Sequence, residues 1–466
     1  MYLNRIEIEN LRAIRKLALD FGTASKTRRW TVLLGENGCG KSTVLKAIAL
    51  VLAGSEAIAE LLEDPDSWVH NDAKIAKIRA VISTAQGEQR QISLEIHRGD
   101  RRDTVIRRNQ KGLAPLDAAL EKANRNYFMA GYGAFRRPPD PLHSNRNSKR
   151  GARVSRANNV GTLFSASFEL MSIEQWAFEL DYREGSRGRE VIAEALGSLL
   201  PGMSFSRIDK KEFAIWMKTQ DGEVRLRNLS EGYQAMAAWA GDILYRLTET
   251  FRDWKSPLSS RGVLIIDEMD LHLHPVWKRN FVEFLNRAFP RLQIIATTHS
   301  PLSIQQCGEG ELFVVKREGA GAPTLIEFKG DPSKLRLSEL FLSPLIGLDT
   351  LDSPKVAALR NEARIIELSR SKQSPADIRR LDEIAQELKG TTPLPPAEVP
   401  ALASVIAFQR TLSRLLPPDH AAQPKLRATP MSAAAPAKKS RKTAMPAPAK
   451  KAAAKSPTKR ASVKKG

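Results

Sequence analysis

The order of apolar and polar residues predicts an α/β domain in the larger, N-terminal part of the chain. Apolar and polar residues alternate over 2–21, which predicts two short strands with one face buried. Predominantly apolar runs at 30–34, 127–132, 263–266 and 293–296 predict strands that are buried on both faces. Such strands are typical of parallel sheets that helices cover on each side, so the predicted fold class is α/β.

Shorter elements fill the intervals between these strands. Residues 78–83 and 91–97 predict an antiparallel pair around Gln86-Gly87-Glu88, and 103–108 predicts a third strand beside it. The other predicted strands are 205–208, 214–217 and 224–226, with a closing hairpin at 312–316 and 324–328. Helices are predicted after residue 43 and at 115–125, 172–182, 187–200, 229–251 and 277–288. This pattern indicates a mixed or parallel sheet with an antiparallel β subdomain and a helical insertion.

Only helical patterns follow residue 331. Ser374-Pro375-Ala376-Asp377 is a strong helix start, and a last helix is predicted near 398–416. Residues 421–466 have almost no large apolar side chains and cannot bury enough surface to become ordered. The predicted regions are a head at 1–330 with a helical subdomain at about 110–255, a helical docking or dimerisation region at 331–420, and a disordered tail at 421–466.

The net charge of the 466 residues is +21, and most of the excess lies in the tail. Residues 421–466 carry 13 Lys or Arg and no Asp or Glu, which leaves a net charge of +8 on the rest. The only two cysteines, Cys39 and Cys307, argue against a disulfide framework or a cysteine-based zinc site. No apolar run approaches the roughly 18 residues of a membrane span, and the first residues do not resemble a signal peptide. We therefore expect a cytoplasmic protein with no membrane partner, and the basic tail is compatible with association with the nucleoid.

The stretch Gly35-Glu36-Asn37-Gly38-Cys39-Gly40-Lys41-Ser42-Thr43 fits the phosphate-binding pattern G-x-x-x-x-G-K-[ST]. It lies between a predicted buried strand and a predicted helix, which is the context that this motif requires. The glycines let successive backbone N–H groups face an anion, and the helix N-terminus adds its positive dipole. Lys41 can reach the β- and γ-phosphates, and the Ser42 hydroxyl can ligate Mg²⁺. This stretch therefore predicts a nucleotide site.

Four further motifs follow this loop. Leu229-Ser230-Glu231-Gly232-Tyr233-Gln234 begins a helix, and Val263-Leu264-Ile265-Ile266-Asp267-Glu268 is a strand that ends in two carboxylates. Asp270-Leu271-His272-Leu273-His274-Pro275 comes next, and Thr297-Thr298-His299-Ser300-Pro301 follows the next strand. With these motifs, residues 1–330 resemble the heads of ATP-binding-cassette (ABC) ATPases. The most similar branch is the soluble one of RecF, the chromosome-maintenance (SMC) heads, OLD nucleases and Septu-type defence ATPases. The two histidine motifs resemble the OLD and Septu proteins and disfavour a transporter.

The resemblance implies a role for each residue after the buried strands. Asp267 is expected to hold Mg²⁺ through water, because a hard cation between phosphates needs a nearby carboxylate. Glu268 is expected to orient and deprotonate the attacking water, so the implied reaction is hydrolysis of ATP. His299 is expected to hydrogen-bond the γ-phosphate or that water, although a histidine after a strand can also be structural.

The resemblance also implies that two chains enclose two ATP molecules. Ser230 and Gly232 match the family's phosphate contacts, although Leu-Ser-Glu-Gly departs from the usual Leu-Ser-Gly-Gly-Gln. The Ser230 hydroxyl and the helix N-terminus would complete the ATP site of a second protomer, and the alternative is a simple helix cap. Arg12 matches the arginine of the Asn-Phe-Arg turn, which lies near the nucleotide phosphates in this branch. The alternative for Arg12 is a surface arginine.

Two positions leave alternatives open. Tyr132 to Arg137 occupies the place of the family's glutamine loop but holds no glutamine, so the residue that senses the γ-phosphate is not identified. His272 and His274 lie two residues apart beside acids, which superficially suggests a metal site. Structural or dimer-contact use of these histidines is the interpretation that we favour.

The basic segments predict contacts with nucleic acid. The loop at 142–160 and the tail at 421–466 would give salt-dependent binding to DNA that is independent of sequence. The alternative is a tail that only keeps the protein soluble. No Asp-x-Asp arrangement or HNH-type cluster follows His299, so we do not expect this chain to cut DNA itself. The helices at 331–417 would instead dock a partner or a second copy.

Three functions are consistent with these features. The first is a Mg²⁺-dependent ATPase that acts as a nucleotide-gated dimer in anti-phage defence, with DNA and a separately encoded effector nuclease as partners. The second is a RecF-like ATPase of DNA repair. The third is a nucleotide-gated scaffold whose slow hydrolysis only resets an assembly.

Overall fold

The computed structural model describes residues 1–23, 26–84, 86–123, 127–135, 156–168, 170–200, 202–251, 257–271, 273–317, 319, 321–343, 346, 348, 350–368 and 374–389. The strands are β1 Tyr2–Leu11, β2 Ile14–Asp20, β3 Trp30–Leu34, β4 Ile75–Ser83, β5 Gln89–His97, β6 Phe128–Tyr132, β7 Ser204–Asp209, β8 Ala214–Thr219, β9 Gly222–Arg225, β10 Gly262–Ile266, β11 Leu292–Thr298, β12 Leu312–Lys316 and β13 Thr324–Glu327. The helices are α1 Lys41–Ala53, α2 Ser55–Leu61, α3 Arg102–Ala123, α4 Ile173–Glu184, α5 Ser186–Leu199, α6 Glu231–Thr250, α7 Pro275–Lys278, α8 Phe281–Ala288, α9 Pro301–Ile304, α10 Leu337–Phe341, α11 Pro354–Leu368 and α12 Pro375–Glu387.

The central sheet has the strand order β13-β12-β3-β11-β10-β6. Neighbouring strands are parallel except for β13, which pairs antiparallel with β12. Two smaller antiparallel sheets, β2-β1-β4-β5 and β7-β8-β9, complete the strands of the described residues. A largely parallel sheet with helices and antiparallel sheets beside it confirms the predicted α/β fold class.

Alternate residues of the central strands point into two separate cores. On β10, Leu264 and Ile266 belong to a core shared with helices α4, α5, α6 and α8. Val263 and Ile265 belong to a second core shared with α1 and the antiparallel sheet of β1. Burial on both faces explains why the strand sequence is continuously apolar, because a residue pointing either way leaves water.

The predicted strand at 103–108 is wrong, because these residues form the start of helix α3. Val105 is fully buried, and the side chain of Asn109 lies against the edge strand β5. The Asn109 amide accepts a hydrogen bond from the Glu95 N–H at 2.6 Å and donates one to the Glu95 carbonyl at 2.7 Å. The helix thus packs beside the open edge of the sheet, and Asn109 satisfies the backbone of Glu95 where a further strand would otherwise have paired.

Other elements agree with the sequence within a few residues, with one further difference. The predicted helix at 277–288 is two short helices, α7 and α8, separated by Arg279 and Asn280. Ser374 begins α12 as predicted and forms a capping box with Asp377. The basic loop up to residue 155, the predicted helix at 398–416 and the tail lie outside the described residues. Among the helices that are described, none is both long enough and apolar enough to span a membrane.

Candidate nucleotide site

The predicted site residues follow three adjacent strands of the central sheet. Leu34, the last residue of β3, pairs with Thr298 of β11, and Ala296 of β11 pairs with Ile266, the last residue of β10. All three strands are parallel, so their carboxyl ends lie at the same edge of the sheet. The loop at 35–43, the pair Asp267 and Glu268, and His299 therefore leave the sheet side by side.

The loop at 35–43 has the backbone that its glycines allow. A Cβ atom on Gly35 would lie 2.3 Å from the carbonyl oxygen of Val315, so no larger residue fits there. Gly40 has a φ of 101° and precedes helix α1 without any side-chain cap on the helix N-terminus. The first N–H groups of α1 therefore have no side-chain acceptor and are oriented for an anion.

Lys41 lies folded back over this loop. Its ammonium donates hydrogen bonds to the carbonyl oxygens of Gly35 at 2.7 Å and Glu36 at 2.8 Å, and the residue is only 6% exposed. Cys39 is buried, whereas Asn37 and Gly38 are exposed and Ser42 and Thr43 are half-buried. The ammonium can exchange carbonyl partners for phosphate oxygens without moving to another part of the protein.

Asp267 and Glu268 are held by a residue that the sequence did not single out, Thr297. The Thr297 hydroxyl donates a hydrogen bond to the Asp267 carboxylate at 2.6 Å and accepts one from the Glu268 N–H at 2.7 Å. The Thr297 carbonyl accepts a third hydrogen bond, from the Met269 N–H at 2.9 Å. Thr297 is fully buried, so these bonds are shielded from water. The only available signal in the sequence was its place beside the histidine motif.

Glu268 adopts a backbone conformation that is rare for a residue with a side chain. Its φ is 48°, in the left-handed region. Such a conformation costs of the order of 1–3 kcal/mol and persists when the surroundings impose it, often at functional sites. Here the Thr297 hydroxyl accepts the Glu268 N–H and maintains the turn.

His299 lies at the exposed rim of the same edge. Partial burial and the positive charge of Lys41 lower the pKa of His299, although the carboxylates of Glu268, Asp270 and Asp267 act in the opposite direction. The imidazole is therefore neutral at neutral pH and can both donate and accept a hydrogen bond. The four charged groups that influence it include three of the predicted site residues.

Asp270 is buried and hydrogen-bonded within the protein, so its carboxylate has a structural role. Its buried carboxylate accepts hydrogen bonds from Thr298 Oγ1 at 2.8 Å and Ser303 Oγ at 3.0 Å. It thereby joins the turn after β10 to the turn after β11. His274 accepts the Val276 N–H as the cap of α7, and His272 lies outside the described residues. In the part of the chain that the structure describes, no cluster of three or more His, Cys, Asp or Glu residues could bind a metal.

Ser230 and Gly232 lie at the exposed start of α6. Ser230 occupies the N-cap position, but its side chain makes no capping hydrogen bond. The side chain of Gln234 instead donates to the Leu229 carbonyl at 2.7 Å and holds the preceding turn. Among the described residues, a Cβ atom on Gly232 would meet nothing within 4 Å, so their packing does not require glycine there.

Arg12 is stacked on an aromatic ring. Its guanidinium carbon lies 4.0 Å from the ring centre of Trp68, and its φ is 50°. Burial lowers the pKa of Arg12. Burial is the largest cause that lowers the pKa of Lys46 on α1, and the charge of Arg12 lowers it as well. The charge of Asp267 raises the pKa of Lys46. Arg12 and Asp267 thus both lie close enough to Lys46 to influence its charge.

The residues present fit a nucleotide with magnesium. The N-terminus of α1 has no side-chain cap, and among the described residues the Lys41 ammonium is held only by groups of the loop. Ser42 and Asp267 supply the hydroxyl and the carboxylate that a Mg²⁺ ion between phosphates requires. The fold and this site define the P-loop ATPase head of the ABC type.

Residues 30–305, more than half of the chain, match the family described as "AAA domain, putative AbiEii toxin, Type IV TA system". The chain belongs to this family, and the match confirms the resemblance inferred from the motifs.

The Septu protein PtuA of Bacillus mycoides (strain KBAB4) is 29% identical over 67% of this chain and 40% of that protein. PtuA of Bacillus thuringiensis is 23% identical over 68% of this chain and 76% of that protein. The Retron Ec83 probable ATPase of Escherichia coli is 33% identical over 29% of this chain and 25% of that protein. The chain thus spans less than half the length of the first of these relatives.

Proposed function

We propose that this protein is a Mg²⁺-dependent ATPase that acts as an ATP-bridged homodimer in anti-phage defence, together with a separate effector nuclease. The observation that carries the proposal is the common sheet edge at which Lys41, Asp267, Glu268 and His299 lie. A cation, two carboxylates and a neutral imidazole beside an uncapped helix N-terminus match the requirements of phosphoryl transfer to water.

The residues divide the chemistry between them. The N–H groups of α1 and the Lys41 ammonium bind the phosphate oxygens, and Ser42 and Asp267 would hold Mg²⁺. Bound magnesium supplies positive charge that neutralises the phosphates. Glu268 accepts a proton from water as the water oxygen bonds to the γ-phosphorus, and the bond from that phosphorus to ADP breaks. His299 donates to a γ-phosphate oxygen, so the charge in the transition state has a second donor besides Lys41.

The dimer follows from Ser230 and Gly232. An exposed N-cap hydroxyl without a capping bond, and a glycine that internal packing does not require, are both explained by a ligand outside this chain. The γ-phosphate of an ATP bound to a second copy fits this chemistry, because a helix N-terminus attracts an anion. Arg12 is proposed to support the phosphates from the side of α1.

Defence is proposed from the named relatives, which are Septu proteins and a retron ATPase. The test expresses this chain with and without its neighbouring genes and measures phage plating, alongside phosphate release by the purified protein with ATP and Mg²⁺. Protection that requires both this chain and a neighbouring nuclease gene supports the proposal. Sensitivity of a deletion strain to DNA damage, without an effect on phage, would instead favour a RecF-like repair function.

The pH dependence of hydrolysis should report on His299. Because the pKa of His299 is lowered, the imidazole stays neutral until the pH falls below its ordinary value of about 6.5. The contribution of His299 to the acid limb of kcat/KM for ATP, which reports groups of the free enzyme, is therefore expected to have its midpoint below that value. The His299→Gln variant lacks the imidazole, and its pH–rate profile is measured with the same substrate. The difference between the wild-type and variant profiles therefore isolates the titration of His299. A difference centred above pH 7 would contradict the proposed environment.

Deletion of 421–466 is expected to weaken binding to duplex DNA and to flatten its salt dependence. Each phosphate contact contributes a slope of about −0.9 in log K against log salt, and the tail carries 13 cations. The measurement is DNA affinity by anisotropy over a series of salt concentrations. A full-length variant with these 13 residues changed to glutamine controls for chain length and should behave like the deletion. An unchanged affinity and slope would show that the tail only keeps the protein soluble.

A further inference from the structure

A buried charged cluster joins helix α6 to the edge strand β6 of the central sheet. Asp242 of α6 is fully buried, and Arg246, one turn later, is 7% exposed. Arg246 donates through Nη2 to Asp242 Oδ1 at 2.9 Å, and the Tyr132 hydroxyl donates to Asp242 Oδ2 at 2.8 Å. Tyr132 is the last residue of β6 and is 1% exposed.

The cluster has further partners on the sheet side. Asp242 Oδ1 also accepts a hydrogen bond from the Met171 N–H at 2.9 Å. Arg246 also donates through Nη1 to the Asn159 side chain at 2.6 Å, and the Asn159 carbonyl accepts the Gly131 N–H of β6 at 2.7 Å. Burial acts to lower the pKa of Arg246, but Asp242 and Tyr132 act to raise it and the net shift is upward, so the guanidinium is charged.

Such a pair needs a reason other than stability. A buried ion pair recovers little more than its desolvation cost, and packed apolar side chains of similar volume are often as stable. Directional hydrogen bonds can, however, restrict the register of α6 on the sheet more narrowly than apolar packing alone. The cluster therefore specifies the position of α6 relative to β6.

Both ends of this connection reach the proposed site. The main-chain carbonyl of Tyr132 accepts the Asp267 N–H at 2.8 Å, directly after the pairing of Ile266 with Tyr132. At the other end, Ser230 lies at the start of α6, about 18 Å from Asp242 along a helix that rises 1.5 Å per residue. One residue, Tyr132, thus contacts the backbone N–H of Asp267 through its main-chain carbonyl and the helix of Ser230 through its side chain.

We propose that Tyr132 is a positioning residue that couples Asp267 in one nucleotide site to the N-terminus of α6, which faces the other nucleotide. The inference rests on the proposed function for the two-site arrangement. It assigns this role to the segment in which the sequence lacks the expected glutamine. Nucleotide bound at the loop 35–43 then orders the start of α6 through Asp267, Tyr132 and Asp242.

The experiment compares two variants that each remove one buried hydroxyl. The hydroxyl of Tyr132 is hydrogen-bonded to α6, and the hydroxyl of Thr248 belongs to α6. Tyr132→Phe removes the bond to Asp242. Thr248→Val is the matched control, because Thr248 accepts a hydrogen bond from Trp176 Nε1 at 3.0 Å on the side of α4, away from Asp267. Hydrogen exchange of the backbone amides of α6 is measured with Mg²⁺ and a non-hydrolysable ATP analogue, together with nucleotide Kd.

In the wild type and in Thr248→Val, the analogue is expected to slow exchange in the first turns of α6. In Tyr132→Phe this protection is lost while the Kd stays within about threefold, and kcat falls about tenfold, equivalent to about 1.4 kcal/mol. Equal behaviour of the two variants, or no protection of α6 in a wild type that binds the analogue, overturns the coupling and leaves the proposed function standing. A wild type that binds no nucleotide refutes the proposed function and the coupling with it.

Discussion

Replacing Glu268 with glutamine is expected to lower the rate of ATP hydrolysis by about 10²–10⁴-fold while ATP still binds. The amide keeps the size of the side chain and the turn that the Thr297 hydroxyl holds, but it cannot accept the proton of the attacking water. ATP then remains between the two protomers, so the variant is expected to elute as a dimer in gel filtration with ATP and as a monomer without it. Phosphate release, nucleotide binding and elution volume measure the three effects.

The control for this variant is Glu283→Gln. Glu283 is an exposed carboxylate on α8, so the substitution makes the same change of charge away from the strand ends. It should leave hydrolysis and dimerisation unchanged. Hydrolysis by Glu268→Gln at the wild-type rate would remove Glu268 from the catalytic role. An elution volume that ATP does not change would count against the ATP-bridged dimer.

The candidate site was predictable where its chemistry is local in the sequence. The loop at 35–43 carries its own glycines, lysine and hydroxyls, and Asp267 and Glu268 directly follow an apolar strand. That these segments meet follows from one rule, because parallel strands present their carboxyl ends at one edge. The alternation and length of the apolar runs were sufficient for this part of the fold.

Residues that act through pairing between distant segments were not predictable. The contact of Thr297 with Asp267 depends on the register of β11 against β10, which neither sequence specifies alone. The first turns of the helix Arg102–Ala123 were predicted as a strand at 103–108, because contacts such as those of Asn109 with β5 cannot be seen in the local sequence. The role of Tyr132 likewise depends on Asp242, 110 residues later.

Replacing Thr297 with valine is expected to have the second largest effect, although Thr297 contacts no substrate. Valine has nearly the shape of threonine, so the substitution removes the hydroxyl without opening a cavity. The Asp267 carboxylate loses its 2.6 Å donor, and the Glu268 N–H loses its acceptor. Leaving a buried polar group without its partner costs about 1–3 kcal/mol. We expect that loss in the free energy of unfolding, measured by urea denaturation.

Hydrolysis by Thr297→Val should fall about 10²-fold, because misplacing a catalytic group by about 1 Å has an effect of that size. The Mg²⁺ concentration for half-maximal activity should rise as well, since Asp267 is no longer oriented. Thr297→Ser retains the hydroxyl and should restore most of the rate. Thr31→Val is the matched control on the adjacent strand β3, because the buried Thr31 hydroxyl has no hydrogen-bond partner among the described residues and its removal should not destabilise the protein. Thr297→Val and Thr31→Val could instead lose hydrolysis rate and unfolding free energy equally. The effect would then come from replacing a buried hydroxyl with a methyl group, and not from the positioning of Asp267 and Glu268.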